Sequence, residues 1–573
     1  MPTSPTSLVR PGPRASLTAR VVVALLVGTV SAFGAPDYYQ WYGSDAQPGG
    51  TNTWDATSLF WQLNGTSVAW PNGSATNAWA VLGGTVGAPF TVTVASGATI
   101  NTNGLWFQAQ YTLARGSNTS RLNFVGVNPT VQIDSGVSST ISVVMTGTNG
   151  LLINGGGNLT VTRAATYTGL TTIDASTLTF GVAGALGAGG VTIQNKGTFA
   201  LGAYNDTAGT VTLLDGAITG TGTLTTTGSF ELQSGTVSAA LAGTGRALHK
   251  FGTGTVTLSG NNTYTGATTV DDGVLQLGAS NRIAAGSNLV VNGGQFALGT
   301  YSEGLGTVTL TGGQITSTTG VLTGTSYAVQ SGSISAILAG NVALTKSTAG
   351  TVQLSGANTY TGATAVNGGI LNLTGSLTNS TITVNSSGTL AGTGTATGAT
   401  TVASGGSLAP GNSGIGRLTT GTETWNSGGR LALELNNTTG TAGLNWDALT
   451  INGGLTISST ALLPFTIQLI SLAGATPGNA VNFNSAQSYT WSIAGATSIT
   501  GFAANKFNFD TSQFTNPLNG GSFSLSQAGN NLNLIYSPIP EPRVYAAVFG
   551  LCTLGFVGFR RWRNRGGWRV AQT

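Results

Sequence analysis

His249 is the single histidine of the chain and Cys552 its single cysteine, so a Ser-His-Asp or Cys-His arrangement would have to run through one imidazole. A repeat described below aligns His249 with Thr345 and its neighbour Lys250 with Lys346, so the pattern keeps the lysine and drops the histidine. Paired carboxylates are the other route to chemistry, because glycosidic cleavage needs two carboxyl groups. Asp271-Asp272 is the adjacent pair, and its counterparts are Asp174-Ala175 and Asn367-Gly368. One of the two acids is therefore dispensable to the pattern, and the other keeps a turn-forming side chain that can bond its own backbone. His and Cys clusters, EF-hand spacing and nonapeptide calcium repeats are missing, and stretches such as Gly220 to Gly228 do not lead into a helical pattern that could cradle phosphate. The expectation is a chain with no catalytic, metal or cofactor site. Cys552 falls in an apolar segment, so neither an intrachain disulfide nor a thiolate site is available.

The elements that would carry such residues are set by composition. The 89 glycines, together with abundant Thr, Ser and Asn, disfavour helix interiors and suit short strands joined by tight turns. Disorder is the competing reading, but Val, Ile, Leu and Thr alternate with polar positions throughout, which a disordered chain rarely does. The body also repeats. Phe199-Ala200-Leu201-Gly202 recurs as Phe296-Ala297-Leu298-Gly299, and Gly209 to Leu213 recurs as Gly306 to Leu310, each at an offset of 97. A Tyr-Thr-Gly triplet appears at Tyr167 to Gly169, Tyr264 to Gly266 and Tyr360 to Gly362. Apolar pairs recur with it, as in Leu159 and Val161, Val256 and Leu258, and Val352 and Leu354, which is the period-two pattern of strands with one buried face. Tyr167, Tyr264 and Tyr360 read as packing anchors, and Gly169, Gly266 and Gly362 as backbone positions that need freedom.

The run from Thr253 through Val270, with Gly273 to Leu277 after it, resembles the autotransporter-associated β-strand repeat, and Gly350 to Leu373 is a second copy. Asn158 to Phe180 is a weaker one, with Ala165 where the others have Asn262 and Asn358. The resemblance implies an all-β chain built as a right-handed parallel β-helix, a solenoid with β caps. A coil of about twenty residues would place about five coils in each 97-residue unit, with coils rising about 4.8 Å each. Antiparallel β-sandwich modules would also alternate polar and apolar residues and are the alternative architecture. The organisation expected is residues 1–35 as a leader, 36–130 as a Trp-rich cap with the first coils, 131–421 as the repetitive helix, 422–537 as a C-terminal β region and 538–573 as a sorting segment with a short hydrophobic helix. Trp41, Trp54, Trp61, Trp70, Trp79 and Trp106 crowd the first of these β regions. They suit a cap that closes the open end of the stack. Exposed, they would instead stack on sugar rings.

Both ends carry targeting patterns. Arg10, Arg14 and Arg20 precede the apolar run Val21 to Val30, and Ala32-Phe33-Gly34 offers small residues at a cleavage spacing, as in a secretory signal peptide. At the other end Pro540-Glu541-Pro542 precedes the apolar run Val544 to Phe559 and then Arg560, Arg561, Arg563, Arg565 and Arg569. This order resembles a PEP-CTERM sorting signal, the mark of exosortase substrates. Sixteen helical residues rise about 24 Å, a marginal transmembrane span, and the arginines would stay on the cytoplasmic side. Without its two ends the chain has eleven Lys plus Arg and fifteen Asp plus Glu over residues 36–539, so the basic balance belongs to the targeting segments and gives no argument for nucleic-acid binding.

Together these features lead us to expect an exported, surface-associated, non-enzymatic β-helical protein of structural or adhesive function. The partners the resemblances imply are an exosortase-type processing enzyme, the inner membrane and extracellular polysaccharide. A polysaccharide-active β-helix enzyme is one rival reading. An autotransporter-like passenger is another, and the sixteen-residue apolar end, in place of the many strands of a translocator barrel, counts against it.

Overall fold

Apolar side chains at every second position, separated by glycine turns, build strands that each bury one face. The computed structural model describes residues 35–43, 48–73, 77–84, 89–539 and Arg560. Among them the chain is almost wholly β, with one 3₁₀ turn at Ala504–Lys506. Successive coils add in-register strands to two long parallel sheets and, over parts of the length, to a third short one. Val211–Leu213, Gly216–Thr219 and Thr223–Thr226 make up one coil, and Phe230–Leu232, Gly235–Val237 and Ala240–Ala242 repeat it one level on. The sheets wrap a continuous apolar core, so the fold is a parallel β-solenoid.

The 97-residue period is the height of five coils. Val211 pairs with Phe230, then Leu248, Thr268, Leu289 and finally Val308, its own repeat equivalent. Parallel pairing through this region rules out the sandwich alternative. Leu159, Val161, Val256, Leu258, Val352 and Leu354 all face the interior and are fully buried. Each such side chain contributes about 1.5–3 kcal/mol of burial, summed over a stack in which every coil covers the one before.

Both ends of the stack are closed by aromatic packing. Asp37–Trp41 pairs antiparallel with Trp61–Leu63, which continues as a hairpin to Thr66–Val68. Trp41, Trp54, Trp61 and Trp70 are buried together there, with ring centroids 4.8–5.0 Å apart. At the far end parallel stacking runs on to Phe507–Gln513, and Tyr489–Gly495, Asn531–Ser537 and Ser522–Ala528 form an antiparallel sheet. Trp425 stacks on Phe465 at 4.6 Å beneath it. The leader, Pro540, Glu541, Pro542, the apolar run, Arg561 and Arg563 lie outside the described residues; Arg560, in helical conformation, is exposed. Among the described residues no helix is long and apolar enough to cross a membrane.

Candidate functional site

On the outer surface of the long sheets, the ion pairs among the described residues lie on the coils around His249. Glu231, His249 and Thr269 occupy one outward column on consecutive strands. The His249 ring meets Glu231 Oε2 at 2.9 Å through Nδ1 and Asp271 Oδ2 at 2.7 Å through Nε2. Burial works against a charge on this ring, but the two carboxylates outweigh it and raise its pKa above the ordinary histidine value. When the ring is protonated both nitrogens donate to the carboxylates, and no lone pair is left to accept a proton or to ligate a metal.

The carboxylates are also engaged beyond the ring. Ser229 Oγ donates to Glu231 Oε1, Asn292 Nδ2 donates to Asp271 Oδ1, and Thr311 Oγ1 donates to Asn292 Oδ1. The result is one polar chain running up the outside of the solenoid, from Ser229 through Glu231, His249, Asp271 and Asn292 to Thr311. The same device recurs at the repeat positions. Asn195 Nδ2 donates to Asp174 Oδ1 at 2.7 Å, and Asn385 Nδ2 to Asn367 Oδ1 at 2.7 Å. Asp174, Asp271 and Asn367 thus bond the side chain of the next coil, not their own backbone as their turn-forming types suggest. Asp272, beside Asp271, does take the local form, accepting from the Gly273 N–H.

Lys250 and Lys346 point inward. Lys250 is fully buried, and its Nζ donates to the carbonyls of Phe251, Gly252 and Asp272 at 2.6–2.9 Å. Burial pulls its pKa down to about 8, with Asp272 holding it up in part. Lys346 donates likewise to Thr348 and Gly368. Each lysine closes the carbonyls of a sharp corner where two coils meet. It is a structural cap, which explains why the repeat keeps it and discards the histidine.

The repeat triplets are interior as well. Tyr167, Tyr264 and Tyr360 are buried, and each hydroxyl shares a 2.7 Å hydrogen bond with the threonine four residues on, Thr171, Thr268 or Thr364. Their role as packing anchors is thereby combined with a buried polar pair. The glycines have a different reason from the one expected. Gly169, Gly266 and Gly362 do not sit at positive φ; a Cβ there would fall 2.1, 2.4 and 2.3 Å from the backbone of the preceding coil, at Gly150, Arg246 and Val342. They are needed for close stacking and not for conformational freedom.

The sequence reasoning singled out none of the buried acids Asp206, Glu303, Glu423 and Asp447, and the first two share one role. Glu303 Oε2 accepts from the N–H groups of Arg282 and Ile283, and Asp206 Oδ2 from that of Leu186, so each carboxyl holds the loop of the coil before it. Burial is the main cause that raises both pKa values, that of Glu303 to about 7. The signal was present: Asp206 and Glu303 are 97 residues apart, and acids are scarce in this body. Among the described residues no group of three or more His, Cys, Asp or Glu side chains is arranged to hold a metal ion.

Comparisons with known proteins address the same repeats. The family model for the passenger-associated-transport-repeat matches residues 248–277 and 344–373, the two stretches that begin at the Lys250 and Lys346 strands and end with Leu277 and Leu373. The adhesin BmaC autotransporter of Brucella suis biovar 1 (strain 1330) is 29% identical over 311 residues, which cover 50% of this chain. Those residues span 8% of that relative's length.

Proposed function

We propose that this chain works outside the cell as a passenger-like β-solenoid that adheres and does not catalyse. The observation that carries the reading is the use to which the outward polar groups are put. His249 and the two carboxylates beside it, Glu231 and Asp271, are spent on bonds between coils, and what surrounds them is a long polar surface. The matched repeats and a relative named as an adhesin support an adhesive role at the surface.

Export rests on the terminal segments of the sequence, with an exosortase-type enzyme as the processing partner and the inner membrane as the transient or lasting anchor. Extracellular polysaccharide is the partner this placement favours. The test is to compare the full chain with one truncated after Tyr536 in cells that make it. Retention of the full chain at the surface, release of the truncated one into the medium, and loss of cell attachment when the gene is deleted are the expected results. Attachment that is unchanged by deletion would refute the adhesive reading, and equal retention of both chains would refute the sorting role of the tail.

A further inference from the structure

The tryptophans of residues 36–130 divide into two groups. Four form the buried cap, whereas Trp79 and Trp106 stand on outward positions of Ala78–Leu82 and Gly104–Phe107, between neighbours that face the core. Tyr38, 47% exposed, joins them from the adjoining strand Asp37–Trp41, its ring 5.8 Å from Trp79 and 6.0 Å from Trp106 in edge-on geometry. Trp79 lies directly over Gly104, where a Cβ would come within 2.3 Å of the indole ring. Asp134 Oδ1 accepts from Trp106 Nε1 at 2.8 Å and fixes that ring in its turn.

The solenoid itself does not require aromatic side chains here. Further along, the Trp79 column passes through Gly104, Thr130 and Leu152 to Thr172, Thr192 and Thr212, with no change in the parallel pairing. An aromatic cluster held in fixed orientation on an otherwise hydroxyl-rich outer face offers π surface to a partner with weakly polarised C–H groups. The C–H face of a pyranose ring meets that description, with the quadrupole of the aromatic face drawing the partly positive hydrogens. Among the described residues the acid bonded to the patch is Asp134, on Trp106. Its carboxylate repels an acidic polymer and accepts hydrogen bonds from sugar hydroxyls.

From these positions we infer that Tyr38, Trp79 and Trp106 form a stacking platform for a neutral polysaccharide at the N-terminal end of the solenoid. The inference rests on the adhesive reading above and gives it a place and a ligand class. One such platform binds an isolated sugar chain weakly, and many copies on one cell multiply that through avidity.

The test titrates the purified full-length chain with cellohexaose and maltohexaose as neutral probes and hexagalacturonate as an acidic one. A neutral hexasaccharide should bind, hexagalacturonate should bind more weakly, and Tyr38→Ala should weaken neutral binding on the order of tenfold. Tyr38→Phe, which keeps the ring, should stay within about twofold of the parent chain. Tyr38 is exposed, so its loss should leave the thermal unfolding profile unchanged, and Trp106→Ala provides a second, independent variant. Equal binding by Tyr38→Ala and the parent, or no binding of either neutral probe, overturns the platform. So does self-association of the chain that Tyr38→Ala abolishes, because a second copy would then be the occupant. Cells carrying Tyr38→Ala that still attach while failing to bind the neutral probe leave the adhesive reading standing without a sugar-dependent mechanism. Attachment that persists in cells lacking the chain removes the adhesive reading itself.

Discussion

Replacing Glu303 with glutamine should stabilise the protein at pH 8 and leave it nearly unchanged at pH 4. The carboxyl is 2% exposed; Oε2 holds two backbone N–H groups of the preceding coil, while Oε1 is buried without a partner. Burial moves its pKa from 4.5 to about 7, against the hydrogen bonds that favour the charged form. The folded state thus binds a proton that the unfolded chain has released, and stability is highest below about pH 4.5 and lost as pH rises through 7. A change of that size corresponds to about 3 kcal/mol. Glu423 acts in the same sense, since burial raises it to about 7 against bonds from Thr420 and Trp425, and the raised pKa of His249 adds stability that is present below 6.5 and lost above it. Asp55 and Asp510 act oppositely, but both are near the surface and their lowered pKa values place their effect at the acid end. The parent should therefore be more stable at pH 5 than at pH 8, the reverse of a protein held by surface carboxylate pairs. Glutamine keeps the acceptor for Arg282 and Ile283 and removes the charge. The local assay is hydrogen exchange of residues 279–288, corrected for the intrinsic pH dependence of exchange: protection in the parent should fall from pH 5 to pH 8, and Glu303→Gln should abolish most of that fall. A parent chain whose protection rises with pH, or a variant that tracks the parent at pH 8, would refute the reasoning.

Two substitutions separate the roles within one triplet. Tyr264→Phe keeps the ring and removes the bond to Thr268, so chemical denaturation should show a loss of about 1 kcal/mol with the solenoid intact. Gly266→Ala adds a single methyl group, yet it must push the coil at Arg246 away, so it should cost more than Tyr264→Phe, about 1–3 kcal/mol, and raise exchange on both adjoining coils.

Much of the architecture was legible because a solenoid writes its period directly into its sequence. The offset of 97 fixes the number of coils per unit once a coil length near twenty is assumed, and the alternation at Val256 and Leu258 names the buried face. What could not be read was the partner of each polar side chain. Asp271 and Asn292 are 21 residues apart, and His249 and Glu231 are 18 apart, so their bonds depend on how insertions in the intervening loops set the register of adjacent coils. For the same reason the glycine of the triplet looked like a turn residue when it is a contact point between coils: local spacing shows that a position must be small, and only the neighbouring coil shows why. The tryptophans carry the lesson furthest. All six lie in one composition-rich stretch, and the choice between cap and sugar platform was posed for them as a group. The structure splits that group by strand parity, with Trp41 facing inward beside Trp61, and Trp79 outward over Gly104. Strand parity was available in principle, since Trp79 and Trp106 each sit between residues of core type, Ala78 and Ala80 in one strand and Leu105 and Phe107 in the other. An outward aromatic between two inward apolar residues is therefore the feature to look for in such chains, because the solenoid can bury its own core without it.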